Sequence, residues 1–185
     1  LLGDQKRRGV LSAARTQRGV TLIELVIAVV IIGILSALAL PSYRDWIQNT
    51  QIRTAAESIQ NGLQLARAEA VSRNTPVSFT LAGNDWTVAV VAPALTIQSK
   101  TGAEGSTNAV IAMVPAAPTS IVFNGLGRIT PATAVTFSVT NPGGGTCQPA
   151  VGGTMRCLNV LVSNSGQIRM CAPALALASN PQGCS

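Results

Sequence analysis

One acidic side chain interrupts an otherwise apolar stretch. Residues 20–40 read V-T-L-I-E-L-V-I-A-V-V-I-I-G-I-L-S-A-L-A-L, and Glu24 is their sole charge. A carboxylate deep in hydrocarbon costs about 2–3 kcal/mol even on lenient insertion scales, so it calls for a partner. A cut after Gly19 would supply one, because Val20 would then carry a free α-amine four residues before Glu24. At i, i+4 spacing the amine and the carboxylate meet within one helix. Between chains, the amine of one copy could neutralise the carboxylate of its neighbour. The competing reading is a glutamate that only snorkels to a membrane surface.

Elsewhere the residue types exclude more chemistry than they offer. The chain has no histidine, which removes the commonest general base and metal ligand and every Ser-His-Asp or Cys-His arrangement. No G-x-S-x-G, P-loop, H-E-x-x-H or paired-carboxylate motif is present, and beyond residue 75 only Asp85 and Glu104 are acidic. Neither enzymatic activity nor a cofactor or metal is expected. The four cysteines, Cys147, Cys157, Cys171 and Cys184, crowd the last fifth of the chain without a C-x-x-C. Zinc held by four thiolates matches that spacing poorly, whereas two disulfides in an oxidising compartment fit it. Three connectivities are open. Cys147 with Cys157 and Cys171 with Cys184 close short loops at the least cost in chain entropy. The first pair would staple a glycine-rich loop at 141–145 and the second would hold down the tail 172–185. A Cys157–Cys171 pair across neighbouring strands is the alternative.

The elements that position these residues follow from where charge and hydropathy lie. Much of the net charge of +6 belongs to the first 19 residues, where Lys6, Arg7, Arg8, Arg15 and Arg18 stand against Asp4. The remainder carries eight basic and six acidic side chains. The basicity therefore describes a leader rather than a nucleic-acid-binding body. A secretory signal peptide is cut after its apolar region, but here the basic stretch and Gly19 come first and the apolar run follows. The 21 residues 20–40 make a helix about 31 Å long, enough to cross hydrocarbon about 30 Å thick. Five basic residues on its N-terminal side keep that side cytoplasmic and export the rest, where disulfides persist. The chain opens on Leu1 rather than Met, so the start codon is left open.

Pro41 closes the apolar run. A kink or local melting is expected over 37–41, because proline lacks an N–H and clashes with the preceding turn. Beyond it Ile52, Ala55, Ala56, Ile59, Leu63, Ala66 and Ala70 recur at i+3, i+4 and i+7, one stripe of an amphipathic helix. Arg53, Glu57, Gln60, Gln64, Arg67 and Arg73 occupy the other faces, so the stripe reads as core. Asn74-Thr75-Pro76 ends the helix. From residue 77 the pattern turns to strands: 77–81 and 86–91 joined by a hairpin turn, then 119–123, 134–139, 158–162 and 167–170. The segment 91–118 shows no clear element, and 100–108, small and polar, reads as a mobile loop. The predicted chain is α+β: a leader over 1–19, a hydrophobic transmembrane helix over 20–41, its amphipathic continuation over 42–74, and a β-rich head over 75–185 packed on that continuation.

The string Arg18-Gly19-Val20-Thr21-Leu22-Ile23-Glu24-Leu25-Val26 resembles the class III signal of type IV prepilins and type II secretion pseudopilins. The glycine, the T-L-I-E-L core and the glutamate five residues past the cut all match, while Val20 stands where the family usually has Phe. Pro41 also falls where many pilins carry a proline. The resemblance implies a pilin-like fold, a prepilin peptidase that cuts between Gly19 and Val20 and methylates the Val20 amine, and an assembly role for Glu24. It also implies the partners: that peptidase, other major and minor pilins or pseudopilins, and the bacterial inner membrane. There the chain would be a single-pass protein with a periplasmic head before it enters a pilus or pseudopilus.

Residues 51–79, with Ala66-Arg67-Ala68-Glu69-Ala70 and Arg73-Asn74, resemble the GspH/FimT family of minor pilins and minor pseudopilins. So do Ile121-Val122-Phe123-Asn124-Gly125-Leu126-Gly127-Arg128 and Ser165-Gly166-Gln167-Ile168-Arg169-Met170-Cys171. Such subunits prime filament assembly from a tip complex. The cysteine-bearing C-terminus resembles the pilus branch, FimU and FimT, more than the secretion pseudopilin. Two alternatives stay open: a minor pseudopilin of a type II secretion system, and a DNA-binding minor pilin for natural transformation. One branch of the family binds DNA through a C-terminal G-R-x-R, and the matching stretch here, Gly166-Gln167-Ile168-Arg169, lacks the first arginine. Lys100, Arg128, Arg156 and Arg169 would have to supply the basic patch, and the small net charge of the head argues against it.

Overall fold

Thr21 opens a 52-residue helix, α1 (Leu22–Arg73). Its hydroxyl accepts the Glu24 N–H at 3.3 Å and its carbonyl accepts the Leu25 N–H at 3.2 Å. The first bond satisfies a donor that would be left over in the first turn, and the second is the first regular rung of the helix. The structure, a computed structural model, describes residues 19–116 and 119–184; the five basic residues of the leader lie outside the described residues. The chain divides into two units, Leu1–Leu40 and Pro41–Ser185.

In the first unit every described residue is exposed, and α1 is here long and apolar enough to cross a membrane. The helix runs on through Pro41 without the local melting expected from sequence. Proline deletes one rung of the ladder, and the good helix formers before it, Ala39 and Leu40, keep theirs. At the far end Asn74 takes a left-handed φ of 49°, and the Thr75 N–H returns to the Ala70 carbonyl at 3.2 Å. That is a C-terminal cap of the kind asparagine tolerates.

In the second unit two antiparallel sheets pack with α1 around one core. One sheet has the order β3-β2-β1-β5-β6, made of β1 (Val77–Ala82), β2 (Asp85–Val90), β3 (Leu95–Lys100), β5 (Ser120–Phe123) and β6 (Ile129–Thr130). The other has the order β4-β7-β8-β9, made of β4 (Val110–Val114), β7 (Val135–Thr140), β8 (Leu158–Val162) and β9 (Ile168–Cys171). The stripe Ile52, Ala55, Ala56, Ile59, Leu63, Ala66 and Ala70 is buried to 1% exposure or less. Phe79 of β1 meets Phe137 of β7 edge-on, with ring centroids 5.7 Å apart, so the two sheets share that core. Phe79 also stacks on Trp86 at 5.7 Å, and the Trp86 indole N–H donates to Ser58 Oγ on α1 at 2.9 Å. Gly62 makes this approach possible, since a Cβ there would come within 2.8 Å of the Phe79 ring and 3.2 Å of the Trp86 ring.

Strands β3, β4 and β6 fall where the sequence shows no clear element. β3 is an edge strand with no buried residue, so it has no apolar alternation to display. β4 is five apolar residues between polar and proline-rich stretches, and β6 is two residues long. The loop expected to be mobile is tied down instead. The Gly102 N–H donates to Asp85 Oδ1 at 2.7 Å and Ser106, 5% exposed, donates its hydroxyl to the Gly102 carbonyl at 3.0 Å. Beside it, the Asn84 side-chain amide donates to the Ala109 carbonyl and its oxygen accepts the Ile111 N–H at 3.2 Å.

Candidate assembly site

The residues singled out at the N-terminus lie at the very start of α1. Gly19 and Val20 precede the helix and are exposed, Val20 at 73%. Thr21 is the cap and Glu24 the third helical residue, so T-L-I-E is also a capping-box sequence. That signal is readable without a structure, although the apolar run and Glu24 overlie it at Thr21. The Glu24 carboxylate has no ion-pair partner among the described residues. A peptide cut at Gly19–Val20 would place an α-amine one residue ahead of the cap.

The four cysteines form two disulfides, Cys147–Cys157 and Cys171–Cys184, with Cα separations of 5.5 and 5.0 Å. The alternative pair is not formed: Asn159, not Cys157, lies opposite Cys171. The first bridge closes the loop between β7 and β8, and Asn49 of α1 clamps that loop. Its Nδ2 donates to the Thr154 carbonyl at 3.3 Å and its Oδ1 accepts the Arg156 N–H at 2.6 Å. Nothing in the sequence marks Asn49 for this duty. The second bridge folds the tail onto β9, where the Ala172 N–H donates to the Gln182 carbonyl at 2.7 Å.

The four basic residues that the DNA-binding alternative would draw on lie on four different elements or loops of the head. Arg156 is held beside Asn49, and Lys100 lies opposite Trp86, whose indole reaches Ser58. Gly127, next to Arg128, lies over Arg67 and Val71. Residues 49 and 67 are about 27 Å apart along a helix. Arg169, on the other sheet from Lys100, spends its guanidinium on the Cys184 carbonyl at 3.3 Å.

The motif segments 121–128 and 165–171 meet at the end of α1. The Asn124 side chain accepts the N–H groups of Leu126 and Arg128, both at 3.0 Å, which holds the turn. Gly127 has φ +72° against Arg67 and Val71, and Gly166, φ +81°, packs on the Gly127 carbonyl with no room for a Cβ. The glycines in these segments are thus explained by close approach and backbone sign.

A family profile described as Type II transport protein GspH matches residues 55–166. The chain belongs to the GspH family. The profile of the prokaryotic N-terminal methylation motif matches residues 14–40 of this GspH-family chain, around the Gly19–Val20 bond. Among curated relatives, the type IV major alpha-pilin of Moraxella bovis is 43% identical over 61 residues, 33% of this chain and 38% of that protein. The type IV major fimbrial protein FimA of Dichelobacter nodosus is 49% identical over 53 residues, 29% of this chain and 32% of that protein. The chain thus covers about a third of the length of these relatives. Among solved structures, the type IV minor pilin FimU of Pseudomonas aeruginosa superposes with a TM-score of 0.54 at 22% identity, covering 72% of this chain and 95% of FimU. That likeness shows a shared fold: a pilin-like α+β chain with a long N-terminal helix and an antiparallel head.

Proposed function

We propose that this chain is a minor pilin-like subunit of a bacterial type IV pilus, anchored in the inner membrane until assembly and serving to prime the filament from a tip complex. Its role is structural rather than enzymatic. The observation that carries this reading is the start of α1: an apolar stretch whose described residues are all exposed, with one carboxylate, five residues past Gly19, that has no ion-pair partner among the described residues. Exposed apolar surface on that scale needs lipid or other apolar rods to cover it. A filament supplies the second once the membrane has supplied the first. The basic leader stays cytoplasmic, the head is periplasmic, and the two disulfides agree with an oxidising compartment. The test is Gly19→Ala, read by mass spectrometry of the protein's N-terminus. The expected product is an uncut precursor retained in the membrane; normal release of a chain beginning at Val20 would overturn the cut site.

The match to a family described as a type II transport protein favours a second reading, a minor pseudopilin of a secretion system. A deletion strain separates the two. Loss of surface pili with protein secretion intact supports the pilus role, and the reverse supports secretion.

A further inference from the structure

We propose that Tyr43 and Trp46 form an aromatic anchor that fixes the depth of α1 in the bilayer, with the phospholipid headgroup zone as its partner. This rests on residues 20–40 being a membrane span. The two side chains are three residues apart on α1 and so share a face, and their rings stack with centroids 5.8 Å apart at 25°. Tyr43 is 58% and Trp46 63% exposed, and neither side chain has a hydrogen bond among the described residues. The other tryptophan contrasts with them. Trp86 is 4% exposed and its indole N–H is satisfied by Ser58.

Position and chemistry agree on the occupant. Tyr43 and Trp46 follow Leu40, the last residue of the apolar run, by three and six residues, about 4.5 and 9 Å of helix at about 1.5 Å per residue. The headgroup layer on each side of a hydrocarbon core is roughly 5–7 Å deep, so Tyr43 lies within it. Trp46 starts just beyond its outer edge, with a side chain that leans back toward the helix N-terminus and into it. A phenol and an indole need apolar surroundings for the ring and a partner for the O–H or N–H. The headgroup zone offers both, and neither bulk water nor hydrocarbon does. The apolar face of a neighbouring rod would leave both polar tips unpaired. Arg44 lies between the two and is exposed, without an ion-pair partner among the described residues, and its guanidinium suits lipid phosphates. With Leu40 at one boundary, Glu24 lies about 24 Å further down the helix, near the opposite face of a core about 30 Å thick. The anchor thus holds Glu24 and the Gly19–Val20 bond near the cytoplasmic surface.

The test uses the full chain in phosphatidylcholine–phosphatidylglycerol vesicles whose lipids carry bromine either near the headgroup or near the acyl-chain end. Bromine quenches only tryptophan close to it, so core-buried Trp86 serves as the internal reference. The expected result is selective loss of the Trp46 share of emission with the shallow bromine, a smaller loss with the deep one, and no loss in Trp46→Phe. Because Trp46 is exposed, that variant keeps the Trp86 emission of a folded head. Protein that floats with the vesicles but is not quenched at the shallow position, or is quenched most by the deep bromine, overturns the anchor and leaves the span standing. Protein that fails to float with the vesicles overturns the span, and the anchor with it.

Discussion

Glu24 enters α1 with its own N–H already held by Thr21 and its carboxylate free of any ion pair among the described residues. The backbone at this point is satisfied and the side chain is not. An unpaired charge in hydrocarbon is costly, and a single added positive charge relieves it. Glu24→Ala is therefore expected to fold and be cut like the parent chain but to enter filaments poorly, because the terminal amine of Val20 has lost its partner. Counting the variant in sheared filaments against the membrane pool checks this, and equal incorporation would remove the pairing idea. Thr21 contributes differently. Thr21→Ala deletes a cap worth about 1 kcal/mol and should fray the first turn, which circular dichroism of a peptide spanning residues 20–40 in detergent would register as lost helicity.

At the scale of elements, the helix was legible and the sheets only partly so. The stripe from Ile52 to Ala70 is buried throughout, because a 3.6-residue period is dictated by one packed face and shows directly in the sequence. Strands with a core-facing side, such as β2 and β7, announce themselves by alternation. β3 does not, since neither of its sides is buried. The cap at Thr21 was readable but hidden inside a stronger signal, while the clamp at Asn49 depends on a loop more than a hundred residues away. Gly62 belongs to the same class of long-range facts. It lies mid-helix, where glycine is unfavourable by about 1 kcal/mol relative to Ala, yet its missing Cβ is the space in which Phe79 and Trp86 pack. Gly62→Val is expected to destabilise the head by about 1–3 kcal/mol despite its better intrinsic propensity for regular structure, measured as a lower midpoint in urea. A neutral or stabilising result would mean that the helix does not approach the sheet so closely.

For the molecule as a whole, the two units answer to different solvents. Every described residue of the first is exposed, and the second has a core of its own plus two cystine loops. Ten- and thirteen-residue separations predict about 3 kcal/mol from each bridge by loop closure. The two should fail differently. Cys171→Ser with Cys184→Ser should free the tail, so that brief proteolysis trims residues after 171 while the sheets persist. Cys147→Ser with Cys157→Ser should instead lower the melting temperature and open the 141–157 loop to cleavage. Identical digestion patterns for the two variants would count against separate roles for the bridges.

The side-chain amide of Asn84 has a consequence at this largest scale. β4 is the outermost strand of its sheet and is built wholly of apolar residues, the kind of rim that recruits strands from other chains. Asn84, reaching over from the other sheet, occupies the Ala109 carbonyl and the Ile111 N–H that a foreign strand would need. That end of the rim is thereby closed to strand pairing with another chain.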